Sequence, residues 1–280
     1  MQDTLDLEKF VELRGVEDGP TSVILAGVHG DERGGIEALK ELLPDLTIQK
    51  GRVFLGYGNP RAIVENKRFT EANLNRMFKD DSLLSLEERG SYEYARAQVI
   101  KTYLDEASAL LDLHASYVPD SPPFIICEPN AQEIVEHLPT DTVVAGFDAV
   151  QPGGTDYYMN AKGGAGICVE CGYLSDKDSV GVAKDAILRF LAARGHISGN
   201  FISIDKTYFS IYEMYVTKSS EFKLAKKFRD FDTLPPGTLI GLDGSMEISA
   251  PKESMILFAR DCNGAGQEAF LLGEQKSSLA

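Results

Sequence analysis

Short apolar runs alternate with helical patterns through the first two thirds of the chain, and this alternation restricts its folding more than any other feature. Val23–Val28, Arg52–Tyr57, Ala109–Leu113, Phe124–Cys127, Val143–Phe147 and Gly166–Cys171 read as strands. Between them Ile36–Leu43 reads as a helix stopped by Pro44, and Leu83–Ala107 as a long helical pattern interrupted by Gly90. Val180–Ala193 is amphipathic and stops at Arg194-Gly195. Strands that are apolar throughout need cover on both sides. The pattern therefore predicts an α/β fold, a central sheet with helices on both faces.

The character changes near Gly199. Tyr208–Val216 and Met255–Ala259 are short alternating runs, and Pro235-Pro236-Gly237 and Asp243-Gly244 mark turns between such runs. An α/β unit over 1–200 and a small β-rich unit over 201–280 are expected. Gly58–Lys79 has little apolar periodicity but carries four basic residues before its final lysine. Irregular connections of this length inside compact domains are usually functional or disordered, and the Asn and Arg content here favours function.

The formal charge of −15, from 28 basic and 43 acidic residues, repels phosphate backbones and anionic membranes. Neither nucleic acid nor membrane is an expected partner. No apolar run reaches the ~20 residues that span a bilayer. The N-terminal MQDTLDLEKFVELRG lacks the basic and apolar segments of a secretory signal, so a cytoplasmic setting is expected. Four cysteines in 280 residues do not form a disulfide scaffold. Cys168 and Cys171 make a C-x-x-C inside the predicted strand, whereas a redox pair opens a helix. The assembly state is not fixed by sequence, and a homo-oligomer stays open.

There are four histidines. His29 follows the strand VILAGV and His114 follows ALLDL. Ligands of open α/β sheets bind beyond the carboxyl ends of strands, so both rings are expected in one crevice. Glu32 lies three residues after His29, where a helix begins, and glycines on either side let the backbone turn sharply. Two imidazoles and one carboxylate, with a fourth position open to water, form the ligand pattern of a catalytic zinc. Glu170, near the end of the strand 166–171, is placed at the same rim as a proton-transferring carboxylate. Asp112 is a weaker candidate for orienting the His114 ring. Each residue also has a plainer reading: a hydrogen-bonded strand-end histidine, a helix-capping glutamate. Their convergence at strand ends of one sheet favours the site. His137 is expected on a solvated face, and His196 is expected to cap the carbonyls of the preceding helix.

The motifs GVHGDERGG, GNP, R-x-x-x-x-NLNRMF, DLHAS and VECG, in that order, resemble the succinylglutamate desuccinylase and aspartoacylase family, within the wider group of zinc carboxypeptidases. The resemblance runs from about Val23 to Gly172, and the β-rich segment after it agrees with the family's second domain. It implies a zinc carboxypeptidase-like mixed sheet and one zinc ion held by His29, Glu32 and His114. It implies Glu170 as general acid/base and Arg68 as the group that polarises the scissile carbonyl. Asn75 and Arg76 resemble the pair that holds a substrate carboxylate, a geometry that suits a guanidinium fork. The plainer reading of both arginines is a surface ion pair.

Two departures stand out. The family commonly has an aspartate where this chain has Asn73, so the orientation of Arg76 must rest on other partners. An arginine that reads the product carboxylate is missing from GTDYYMNAKGGAG, which offers Tyr157, Tyr158 and Lys162 instead. The expected function is a zinc amidohydrolase acting on a small N-acyl amino acid or a related amine. The alternatives are a carboxypeptidase for short peptides and a metal- or small-molecule-binding protein without turnover. A phosphate-cradling loop at GVHGDERGG is disfavoured, since neither G-K-[ST] nor G-x-G-x-x-G occurs there.

Overall fold

A computed structural model describes residues 6–199 and 201–279 of the chain. Eleven strands form one mixed sheet. Its centre is parallel: β3 (Lys50–Tyr57), β2 (Glu17–Ala26), β4 (Ala109–Ser116) and β7 (Ala165–Tyr173) lie side by side in that order. An edge strand, β1 (Val11–Arg14), pairs antiparallel with β3 and was not evident in the sequence. Beyond β7 come β5 (Phe124–Cys127), antiparallel to it, and β6 (Thr142–Ala145).

The sheet does not stop at residue 200. β8 (Thr207–Val216) pairs in parallel with β6, with Thr142 opposite Thr207. It is followed across the sheet by β14 (Glu268–Lys276), β13 (Ser254–Leu257) and β10 (Thr233–Leu234). A separate antiparallel sheet is built from β9 (Phe222–Leu224), β11 (Leu239–Asp243) and β12 (Met246–Ser249).

The alternation of strand side chains divides the core. Ile24, Ala26, Leu111 and Leu113 face a cluster shared with α1 (Arg33–Leu42) and α8 (Ser179–Ala193). Val23, Leu25 and Leu110 face the other side, against α4 (Tyr92–Glu106) and α7 (Thr155–Ala161). This two-sided cover explains why the central strands read as unbroken apolar runs.

Two elements differ from the sequence expectation. The pattern at 83–107 is not one helix. A capping box at Ser85 and Glu88 starts α3 (Leu86–Arg89), Gly90 ends it, and Ser91 caps the start of α4. The predicted strand 143–147 stops at Ala145, because Gly146 adopts φ +90° and starts the single turn α6 (Phe147–Val150). The remaining short helices are α2 (Pro60–Glu65), capped by Asn59, and α5 (Gln132–Val135).

Candidate active site

The carboxyl ends of β2, β4 and β7 meet at one rim. His114 on β4 stands in register beside Glu170 on β7, and Ala26 beside Leu113. The chain leaves β2 through Gly27, whose φ of +67° turns it toward His29. Gly30 passes so near α2 that a Cβ there would lie 2.1 Å from the Ala62 carbonyl carbon. Glu32 is the N-cap residue of α1, yet its side chain caps nothing. The carboxylate turns instead toward the two histidines. Oε1 lies 2.7 Å from His29 Nδ1 and 3.0 Å from Arg68 Nη1, and Oε2 lies 2.9 Å from His114 Nδ1. All three side chains are buried, and their donor atoms lie within 4.8 Å of one another.

The donor set fits a divalent cation. His29 Nε2 is 3.1 Å from Asn73 Oδ1, an oxygen that also accepts from the Asn75 backbone N–H. A ring that donates through Nε2 keeps its lone pair on Nδ1, the nitrogen facing Glu32. Burial, with the Arg68 charge, holds His29 down at about 4, so that lone pair is free near neutral pH. An imidazole lone pair against a buried carboxylate repels unless a cation lies between them. His114 shows the same need differently. Burial opposes its protonation, but the Asp112 and Glu32 carboxylates outweigh burial and push it well above the ordinary histidine range. A metal ion would take the place of that proton.

Asp112 Oδ2 lies 3.1 Å from His114 Nε2, not aligned as a hydrogen bond, and accepts one from Thr155 Oγ1 at 2.6 Å. Asp112, His114 and Cys168 form a second compact trio, but it shares His114 with the first and its carboxylate is already engaged by Thr155. Cys168 and Cys171 themselves pack into different core clusters, on opposite faces of β7.

Glu170 is 7% exposed, and its Oε2 has no hydrogen-bond partner among the described residues. Burial pushes its carboxyl up to about 8; His114 and Arg68 pull the other way, while Glu32 adds to the rise. Glu170, both histidines, Glu32 and Arg68 face a cavity of about 570 Å³.

Asn75, Arg76 and Tyr157 also line this cavity. Asn75 Oδ1 accepts from the Thr155 backbone N–H. Arg76 is already engaged: its Nε and Nη2 donate to Oε1 and Oε2 of Glu268 at 2.9 and 2.8 Å, and Nη1 donates to the Asn75 carbonyl at 2.6 Å. Tyr158 and Lys162 are placed elsewhere. The Tyr158 hydroxyl donates to Asp105 at 2.8 Å, and Lys162 Nζ caps the Leu104 and Ala107 carbonyls at the end of α4. His137 is half-buried, its own carbonyl accepting from Arg189 Nη1. His196 does not cap the preceding helix: its ring meets the Lys50 carbonyl at 2.8 Å and Ser22 Oγ at 2.9 Å, stapling β2 to β3.

Three parts of the site escaped sequence reasoning. Glu268 and Arg260 reach the cavity from the tail, 192 residues beyond Arg76 in the case of Glu268. Glu93, fully buried on α4, accepts from Asn59 Nδ2, from the Thr70 hydroxyl and amide, and from the Glu71 and Ala72 amides. That carboxylate organises the irregular segment carrying Arg68, Asn73, Asn75 and Arg76. A polar residue three positions before Arg96 on an otherwise core-facing stripe was the available signal.

Comparison with known proteins places the chain in a family. Residues 18–192 match the succinylglutamate desuccinylase/aspartoacylase catalytic domain, and the chain belongs to that family. Among its relatives, succinylglutamate desuccinylase from Pseudoalteromonas atlantica is 24% identical over 89% of this chain and 79% of its own length. The enzyme of that name from Serratia proteamaculans is 28% identical over 78% of this chain and 73% of its own. The solved structure of Vibrio cholerae succinylglutamate desuccinylase superposes with a TM-score of 0.80, covering 95% of this chain and 85% of that one at 19% identity. At 95% coverage, that likeness extends beyond the matched catalytic domain into the tail.

Proposed function

We propose that the chain is a zinc-dependent amidohydrolase that removes an acyl group from a small N-acyl amino acid or a related amine. The observation that carries this reading is the meeting of His29, Glu32 and His114 beside a buried, unpartnered Glu170 at one cavity. Zinc held by His29, Glu32 and His114 supplies Lewis acidity at the reacting carbonyl and water. Glu170, buried at the same rim with its Oε2 free among the described residues, takes the proton of the attacking water and returns it to the departing nitrogen. Arg68 stays charged and close, so negative charge growing on the carbonyl oxygen meets a preorganised partner. Asn75, Arg76 and Tyr157 contact the substrate from the cavity wall.

A small substrate is favoured over a peptide because the tail closes the cavity. Met214, Arg260, Glu268 and Phe270 all form part of its wall, and about 570 Å³ suits a small molecule. We assign 1–200 as the catalytic unit and 201–280 as the unit that closes it. No helix among the described residues is long and apolar enough to cross a membrane, and the described cysteines are free and buried. Both fit the cytoplasmic setting expected from the sequence.

The direct test is Glu170→Gln with zinc content measured alongside amide hydrolysis. Hydrolysis is expected to fall by about 10²–10⁴ with zinc retained. Unchanged hydrolysis would remove Glu170 from the mechanism.

A further inference from the structure

Three arginines and six carboxylates line the cavity, and the arginines are paired with only some of the carboxylates. Arg76, Arg260 and Arg68 all bear on Glu268. Arg76 spends its fork on that carboxylate, which also accepts from Gln151 Nε2 at 2.8 Å. Arg68 pairs with Glu32. Arg260 donates Nε to the Glu268 carbonyl and lies over the Tyr117 ring.

The wall formed by α6 and α7 carries no arginine or lysine of its own. Asp148 and Asp156 both face the cavity. Asp156 is 8% exposed; its own amide and that of Tyr157 meet its carboxylate, the His114 charge bears on it, and among the described residues no side chain donates to it. Asp148 has one side-chain donor, the neutral Asn160 amide at 3.0 Å. The charges bearing on Asp148 are those of Asp156 and Glu128, both of its own sign. The segment Gly154–Gly166 contains no arginine, and its single lysine, Lys162, is turned to the end of α4. Carboxylates crowded into a buried wall are costly unless a cation joins them. Without one, burial and the Asp156 charge hold Asp148 up at about 7.

We propose that the amine half of the substrate carries a second, free ammonium group, and that Asp148 and Asp156 receive it. The inference rests on the deacylase reading and names its substrate class. With Arg76 committed to Glu268, the wall reads a cation where the family resemblance had suggested a carboxylate.

The test compares kcat/KM of the zinc-loaded full chain for Nα-acetyl-L-ornithine and Nα-acetyl-L-lysine with N-acetyl-L-norleucine and N-acetyl-L-glutamate. The cationic substrates are expected to exceed the neutral one by about tenfold, with the anionic one lower still. Asp148→Asn and Asp156→Asn should each lower the cationic-to-neutral ratio by about tenfold. Equal or lower values for the cationic substrates, with the others hydrolysed, overturn the proposal. Failure of the whole panel with zinc bound would count against the deacylase reading instead. Calorimetry with L-ornithine and L-glutamate then decides: ornithine binding that is weakened in Asp148→Asn supports the cation wall, and glutamate binding alone overturns it.

Discussion

Asn73 shows how one side chain sets the state of another. Its amide oxygen accepts from His29 and from the Asn75 amide at once, which fixes the ring with Nδ1 toward Glu32. A neutral oxygen here serves the orienting role that a carboxylate can also fill, while Arg76 takes its orientation from Glu268 and the Asn75 carbonyl. Partners of this kind tune ligand affinity. Asn73→Ala is expected to weaken zinc binding by about 10–100-fold in a chelator competition, with Asn73→Asp close to the parent. The four central residues were legible in the sequence because each follows or ends an apolar strand, where side chains reach a shared rim. Tyr158 and Lys162 were misplaced by sequence reasoning for a helical reason. Lys162, the C-cap residue of α7, follows Tyr158 by four positions, so both turn to α4, while Tyr157 faces the cavity.

At the scale of elements, α4 holds the candidate-site segment 58–79 in place. Burial raises the Glu93 carboxyl, but the Thr70 hydroxyl, the Thr70 and Ala72 amides and the Asn59 amide outweigh it and leave the group below its ordinary range. On the same helix Arg96 donates to the Gly58 and Tyr57 carbonyls at 2.9 and 2.8 Å. Glu93→Ala strands several buried donors, so urea denaturation should show a loss of about 3 kcal/mol. Its kcat should fall as well, since Arg68 and Asn75 lose their frame. The length of 58–79 signalled function, but periodicity gave no hint that a helical glutamate orders it.

In the tail, Asp243 on β11 accepts from the Lys218 and Ser219 amides and from the Tyr215 hydroxyl. The Ser219 hydroxyl and Lys218 amide hold its carboxyl at about 2, against an ordinary value of 3.8. A depressed carboxyl stabilises above its ordinary pKa and loses that contribution as pH falls through the folded value. Between about pH 4 and pH 2 the parent should therefore lose stability more steeply than Asp243→Asn, read by urea unfolding across that window.

At the scale of the whole molecule, the large mixed sheet runs from the N-terminal strands into the tail, and its strands β8 and β14 supply part of the cavity wall. Asp230 anchors the tail: its carboxylate accepts from Ser116 and Ser121 at 2.7 and 2.6 Å and from the Phe258 amide at 2.7 Å. Ser116 lies two residues after His114, so the tail is fastened beside the rim that carries the candidate metal ligands. The sequence showed a change to β-rich character near Gly199 but not the β6–β8 pairing that makes the two parts share a sheet. Such pairings join segments far apart in the chain, and no local periodicity encodes them. For the same reason the Arg76–Glu268 fork was invisible until the fold placed β14 beside the cavity. The central claim remains the three-residue grip on one cation. Anomalous diffraction at the zinc edge, on crystals grown with one equivalent of zinc, tests it most directly. The account predicts a single peak about 2.0–2.2 Å from a nitrogen of His29, a nitrogen of His114 and an oxygen of Glu32. A peak bound by other residues, with those three side chains left unligated, would contradict it.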